Sequence, residues 1–182
     1  MSPLRGMIVL WVVWFVTWWA AAAWSDRAVK SPGAGPQLLY TLLTIGGGVL
    51  LFGVFPVERW WRLPRAAEWG TVVLAGAGFA FAWWARIHLG RFWARSVSRK
   101  ADHRVVDTGP YALVRHPIYT GIILATIATA ALKATAFAWA GMLVMTLGWY
   151  VKARLEERFL KGELGNAYAA YAARVPMLVP FI

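Results

Sequence analysis

Long apolar runs alternate with short polar breaks along this chain, and the lengths of the runs predict the elements. Met7–Trp24, Leu38–Phe55 and Trp69–Leu89 each hold about 18–21 residues, roughly 27–31 Å as helix, enough for the hydrocarbon core of a bilayer. A polar stretch, HRVVDTGPYALVRHPIYTG, then runs from His103 to Gly121. Two shorter apolar runs follow, Ile118–Leu132 and Ala136–Val151, with Lys133 at their turn. At about 15 and 16 residues they predict a tight helical hairpin tucked among other helices. The expected fold is all-α: a polytopic membrane protein with five transmembrane helices, the last two forming the hairpin, plus a C-terminal helix on the cytoplasmic side. Gly46-Gly47-Gly48, Gly53, Gly76 and Gly78 supply small faces that let helices approach closely. No repeat, linker or second domain interrupts residues 1–182, so one domain is expected, with 1–89 as its three-helix membrane part.

Composition agrees with that class. Hydrophobic residues make up 60% of the chain and charged residues 15%, less charge than a soluble domain carries. Thirteen Trp suit a protein with wide contact to the lipid interface, where indole rings prefer to sit. The absence of Cys excludes disulfides, thiolate metal sites and cysteine nucleophiles, and no metal site is expected. A net charge of +11 raises the possibility of nucleic acid. The basic residues flank apolar spans, however, so anionic lipid headgroups are the expected partner and nucleic acid is not.

Charge also orients the bundle. With five membrane helices, the loop 26–37, the stretch 90–115 and the C-terminal tail share one side, which carries most of the Arg and Lys. The opposite side holds only Arg5, Arg59, Arg62, Arg65 and Lys133. The positive-inside rule places the polar stretch and tail in the cytoplasm (facing inward from an inner membrane in a bacterium) and the N-terminus outside. Arg5 followed by an apolar run ending in Ala21-Ala22-Ala23 also has the look of a signal peptide. The run is longer than a usual signal core and rich in Trp, so a retained helix is expected.

The polar stretch carries the candidate chemistry. Non-helical backbone at membrane depth survives where it is buried in protein or lines a cavity. Gly109-Pro110-Tyr111 reads as a turn, and Pro117 suits the first position of the following helix. Backbone N–H groups at that helix start favour an anion, and Arg115 and His116 add donors there. Tyr119 falls on the first helical turn. Glu156 and Glu157, near the end of the last membrane helix, are placed to hold an amino group or ribose hydroxyls. A ligand with a carboxylate, an amine, a ribose and an apolar base would use all of these together.

Blander readings stand beside each residue. Arg115 alone suits a headgroup-anchoring charge, and His116 suits a helix cap. Lys152 and Glu156 are spaced for an ordinary surface ion pair. Trp60-Trp61 and Trp83-Trp84 suit interface anchors. Tyr168, Tyr171 and Arg174 suit an amphipathic helix lying on lipid.

The order of these residues resembles a known family. HRVVDTGPYALVRHPIYTG is similar to the H-x-L-V-T-S-G-x-Y and R-H-P-x-Y-x-G segment of the isoprenylcysteine carboxyl methyltransferases. KARLEERFLKGELGNAYAAYAARVPMLVPFI is similar to their terminal pattern of a basic residue, Glu-Glu, two spaced Tyr and Arg-Val-Pro. The related membrane phospholipid methyltransferases share a shorter version. The resemblance covers about Leu89 to Ile182; the first two helices match only in being apolar.

The resemblance implies an S-adenosyl-L-methionine site built without a Rossmann sheet, with 90–182 as the cofactor-binding and catalytic part. By motif position, His103, Arg104, Val105, Val106, Tyr111, His116, Pro117, Ile118, Tyr119 and Glu156 would contact the cofactor, with Gly109 and Arg115 in the same motif. Ser96 falls where the family has a polar contact. The substrate-facing basic residue of the family aligns with Lys152, and Arg154 lies a short step on. Lys lacks the fork of Arg for a carboxylate. The implied reaction is in-line displacement at a sulfonium methyl by a lipophilic, for example prenylated, carboxylate, which is ionised at neutral pH and needs no base. A phospholipid amine or a small thiol is the alternative acceptor. An amine must first lose a proton, which would give Glu157 a role as base. An NADPH-dependent membrane reductase and a non-enzymatic scaffold are the more distant alternatives.

Overall fold

The computed structural model describes residues 1–21, 34–90 and 105–181. All regular structure among them is helical: α1 (Pro3–Ala20), α2 (Ala34–Phe52), α3 (Arg65–Leu89), a 3₁₀ turn (Gly109–Ala112), α4 (Pro117–Lys133) and α5 (Ala136–Arg174). α1 and α3 are long and apolar enough to cross a membrane, and Gln37–Phe52 and Pro117–Lys133 form shorter apolar helices.

Local chemistry sets the ends. Ser2 caps α1 by accepting a hydrogen bond from the Arg5 N–H, with Pro3 just inside, a pairing that satisfies an otherwise orphaned donor. Pro117 likewise stands at the first position of α4, which has no side-chain cap. Thr135 caps α5 by accepting from the Ala138 N–H at 3.2 Å. Lys133 does more than mark a turn. Its Nζ donates to the carbonyls of Leu51 at 2.7 Å and Gly53 at 2.8 Å, satisfying carbonyls that the end of α2 leaves open.

Two boundaries differ from expectation. α2 ends at Phe52 instead of Phe55, since Lys133 and Gly53 close it before Pro56. α5 does not stop near Val151 but continues as helix to Gly165, where φ 55° and ψ −130° break it. The apolar run ends near Val151, while helical hydrogen bonding continues past it. The C-terminal helix therefore begins beyond Gly165.

Packing places the helices side by side in the order α1, α3, α4, α5, α2. α3 and α4 touch backbone to backbone: a Cβ on Gly78 would lie 2.5 Å from the Gly121 carbonyl oxygen. α2 and α5 approach as closely through Gly47, Gly141 and Gly148. Only glycine permits such separations, and the dispersion attraction between the close backbones substitutes for a hydrophobic drive that lipid does not provide. The core between α1, α3 and α4 is aromatic, with Trp11 edge-on to Phe79 and its Nε1 donating to Thr129 Oγ1 at 3.0 Å. Much of the outer apolar surface is bare, including Val12, Val13, Val16, Leu42, Ile45, Val73 and Leu143.

Candidate functional site

The site begins at the 3₁₀ turn. Gly109 has φ +58°, and a Cβ there would lie 2.8 Å from the ring of His88. Glycine is thus required by both conformation and space. The His88 ring stacks on Tyr111 and its Nε2 shares a hydrogen bond with Thr108 Oγ1 at 2.8 Å. Tyr111 is buried, and its carbonyl accepts from the Tyr171 hydroxyl at 2.7 Å. The end of α3, the turn and the tail are thereby joined before α4 begins.

Arg115 turns inward. Its Nε donates to Glu157 Oε1 at 2.6 Å, and Nη1 donates to the carbonyls of Ala172, at 2.9 Å, and Val175. Its backbone N–H donates to Pro176 at 2.8 Å, and the next N–H, of His116, donates to Met177 at 3.1 Å. Thr120 Oγ1 donates to Leu178 at 2.7 Å. The residues after α5 are thus strapped across the start of α4. This replaces the reading of Arg115 as a headgroup anchor: its charge is directed to a carboxylate and two carbonyls. The surface-helix reading of the tail also falls, since Tyr168 and Tyr171 are buried. Arg174 is exposed and pairs with Asp107 at 3.3 Å.

His116 lies between two carboxylates. Nδ1 is 3.4 Å from Glu156 Oε2 and Nε2 is 3.5 Å from Glu157 Oε1; Nε2 is buried and makes no hydrogen bond among the described residues. The imidazole stacks on Tyr119 at an interplanar angle of 7°, and Tyr119 stacks in turn on Trp149. The Tyr119 hydroxyl donates to Glu156 Oε1 at 2.6 Å. Adjacent helical residues point about 100° apart, so Glu156 faces Tyr119 while Glu157 faces Arg115. Lys152, one turn before Glu156 and buried, sets its Nζ 5.3 Å from the Tyr119 ring centre, 5.4 Å from that of Tyr40 and 5.6 Å from that of Trp149. That burial removes the surface ion-pair reading.

Electrostatics follow from this packing. Burial pushes the Glu157 carboxyl up, but His116 and Arg115 outweigh it and hold the pKa at about 2. Burial likewise opposes charge on Glu156, and His116, Lys152 and Tyr119 reverse that, leaving its pKa lowered. Burial alone would lower the His116 pKa; the two carboxylates raise it. Burial raises the Tyr111 phenol, and Glu156 and Tyr171 add to the rise. The result is a buried network of ionised carboxylates and cations, stable only because each charge is paired.

Several expected residues converge: His116, Tyr119, Lys152, Glu156 and Glu157 meet, with Pro117 and Ile118 buried at the helix start beneath them. Tyr111 joins through His88 and Tyr171. Val105 packs on Tyr168, Tyr171 and Val175, and Val106 against the main core. Arg154 is exposed, because two residues along a helix turn a side chain to the opposite face from Lys152. Ser96, His103 and Arg104 lie outside the described residues. Tyr40, Trp149 and His88 were not anticipated. Trp149 had a signal, since 149, 152 and 156 share one helical face. Tyr40 had none, because its role depends on the register of α2 against α5.

The arrangement offers a carboxylate for amino or hydroxyl donors, an imidazole nitrogen that makes no hydrogen bond among the described residues, stacked ring faces and a buried ammonium. A model of the isoprenylcysteine carboxyl methyltransferase (ICMT) family matches residues 71–161. The chain is 30% identical over 87 residues to protein-S-isoprenylcysteine O-methyltransferase B of Arabidopsis thaliana, covering 47% of this chain and 44% of that protein. It is 29% identical over 180 residues to a methanethiol S-methyltransferase of a Pseudomonas species, covering 99% of this chain and 57% of that one. A 70-residue stretch is 44% identical to methanethiol S-methyltransferase 2 of Bradyrhizobium diazoefficiens, covering 38% and 26%. In each case the match spans less than two thirds of the relative's own length.

Proposed function

Because this chain belongs to the isoprenylcysteine carboxyl methyltransferase family, we propose that it is an integral membrane methyltransferase that uses S-adenosyl-L-methionine and acts on an anionic acceptor. The observation that carries this reading is the cluster of His116, Tyr119 and Glu156 with the Lys152 ammonium among three rings. The donor set fits the cofactor. The Glu156 carboxylate suits its amino group or ribose hydroxyls, and the His116 Nε2, which makes no hydrogen bond among the described residues, and the ring faces suit its remaining polar and flat parts. When bound, the cofactor supplies an electrophilic methyl group on a cationic sulfur.

The protein's own residues then bind and orient. Lys152 serves as a point charge for the acceptor's anion. An acceptor carboxylate is ionised at neutral pH, so the site needs no general base; Glu157, already paired with Arg115, is left to position the Arg115–His116 segment. Arg154, on the exposed face, is placed to meet headgroups. An amine acceptor is disfavoured, since it must lose a proton before attack and Glu157, paired with Arg115 and held at a pKa of about 2, is a weak base for that step. The primary reading is therefore a lipophilic carboxylate such as a prenylated cysteine, entering between helices from the lipid. A small thiol is the second reading. The match over 99% of this chain to a methanethiol S-methyltransferase favours it, and a nearby ammonium lowers the pKa of a thiol.

In the membrane we place five crossing helices, with α4 and the first half of α5 as a hairpin and the site facing the cytoplasm. The decisive experiment uses detergent-purified protein. S-adenosylhomocysteine should raise its melting temperature, because a ligand bound only by the folded state adds RT ln(1 + [L]/Kd). Transfer of a labelled methyl group to a prenylated cysteine, methanethiol and a phospholipid amine then ranks the acceptors. Stabilisation by NADPH alone would replace this reading with a reductase, and neither ligand binding would leave a scaffold.

A further inference from the structure

His88 sits on the last turn of α3 and meets the 3₁₀ turn of the site in three ways. Its Nε2 shares a hydrogen bond with Thr108 Oγ1 at 2.8 Å. Its ring lies against that of Tyr111, with centroids 6.4 Å apart and an interplanar angle of 26°. Its ring atoms Cε1, Nδ1 and Nε2 stand 2.8, 3.0 and 3.1 Å from where a Cβ of Gly109 would be. The turn behind these contacts is closed by its own backbone. The Tyr111 N–H donates to the Thr108 carbonyl at 3.1 Å, and the Leu113 and Val114 N–H groups donate to the Pro110 carbonyl at 3.2 and 3.3 Å. Residues 108–114 therefore move as one piece, and Arg115 and His116 follow directly.

We infer that His88 is a positioning residue for the cofactor: it fixes the Gly109 turn against the end of α3, and so sets where Tyr111 and His116 meet S-adenosyl-L-methionine. This rests on the methyltransferase reading above. A turn that opens on a glycine at φ +58° has backbone freedom that its contacts must remove, and binding is tighter when that order exists beforehand. The tail reaches the turn from α5, through the Tyr171 hydroxyl on the Tyr111 carbonyl. His88 reaches it from α3. Imidazole suits the task, because a flat ring packs against Tyr111 and Gly109 while a ring nitrogen bonds the Thr108 hydroxyl. A basic residue in the last helical turn can also serve the carbonyls of its own helix. A bond directed at Thr108, outside the helix, is not explained that way.

The test uses detergent-purified protein and the variants His88→Leu, His88→Gln, His88→Phe, Thr108→Val and the double His88→Phe/Thr108→Val. Thr108 is extended, with φ −114° and ψ 168°, a conformation that valine adopts readily. Val73→Ala, at an exposed position on the same helix, is the control. For each we would measure the Kd for S-adenosylhomocysteine by calorimetry, acceptor KM and kcat at saturating cofactor, and the melting temperature. His88→Leu removes ring and bond together and should raise that Kd about tenfold, while acceptor KM stays within about twofold. His88→Phe and Thr108→Val each remove the same bond and should raise it about threefold, and the double variant should be no worse than either alone. His88→Gln, long enough to reach the hydroxyl, should recover part of the loss seen with leucine. Val73→Ala should match the wild type. If His88→Leu does not purify folded, the cycle of His88→Phe and Thr108→Val carries the comparison. The inference alone is overturned if the wild type binds S-adenosylhomocysteine and the His88 variants bind it equally well, if acceptor KM rises in step with Kd, or if the His88→Phe and Thr108→Val effects add. A wild type that does not bind S-adenosylhomocysteine, or binds it and methylates none of the three acceptors, overturns the proposed function and the inference with it.

Discussion

Among single residues, Glu156 and His116 bear the most on function. Glu156 accepts from Tyr119 at 2.6 Å and faces His116 and Lys152, so removing its charge unpairs several buried groups together. Glu156→Gln should weaken S-adenosylhomocysteine binding by about ten- to hundredfold, the usual value of a charge-assisted hydrogen bond. Calorimetry on purified protein checks this, and unchanged affinity would remove Glu156 from the cofactor contacts. The same network predicts a pH profile. The Glu157 pKa is lowered from 4.5 to about 2, so its stabilising contribution is complete above 4.5 and lost as pH falls toward about 2. The His116 pKa is raised above 6.5, so its contribution is complete below 6.5 and lost as pH rises through the raised value. Melting temperature should therefore form a plateau between these limits and fall on both sides. His116→Gln should flatten the alkaline slope, and a slope that persists would assign it to another group.

At the scale of elements, the tail is the feature that the apolar pattern did not reveal. The break at Gly165 lets the last helix fold back, burying Tyr168 and Tyr171 and laying residues 175–178 over Arg115, His116 and Thr120. Gly165 has φ 55° and ψ −130°, a region essentially closed to residues with a Cβ, at a cost of about 1–3 kcal/mol. Open space surrounds it, so the effect of Gly165→Ala isolates backbone strain from crowding. The variant should expose the tail to protease and weaken S-adenosylhomocysteine binding, while α1 to α4 resist cleavage as before. Limited proteolysis with and without the ligand measures both. Wild-type resistance of the tail would mean that the fold-back does not depend on this glycine.

For the whole molecule, the question is which way the bundle faces. In the helix order α1, α3, α4, α5, α2, the ends near Arg5 and Arg62 lie opposite the site. Under the proposed orientation, the excess of Arg and Lys in the sequence on the site's side would face it inward. The chain has no Cys, so single cysteines report cleanly. At exposed positions, Arg5→Cys and Arg62→Cys should react with a membrane-impermeant maleimide added to intact cells. Arg154→Cys and Lys161→Cys should react only after the membrane is opened. Labelling of Lys161→Cys from outside would invert the orientation and put the site away from the cytoplasmic cofactor pool.

The sequence by itself determined the helical class, several helix ends and a set of candidate residues, five of which the structure brings together. Run length, Pro117 at a helix start and the spacing of Glu156 from Lys152 are local properties, readable within one or two turns. The two motifs that carry the family resemblance were legible for the same reason. Only the tertiary structure decided which side chains use those positions. Arg115 turns from a surface charge into a clamp because Glu157 and the carbonyls of Ala172 and Val175, at the end of α5 and just past it, reach it across more than forty residues of chain. Arg154 faces away because the rotation of α5 is set by its glycine seam with α2, and Tyr40 meets Lys152 through that same register. Such choices depend on how two distant helices slide and rotate against each other. That is settled by close backbone contact and buried charge pairing, and no pattern within a single run of residues encodes either one alone.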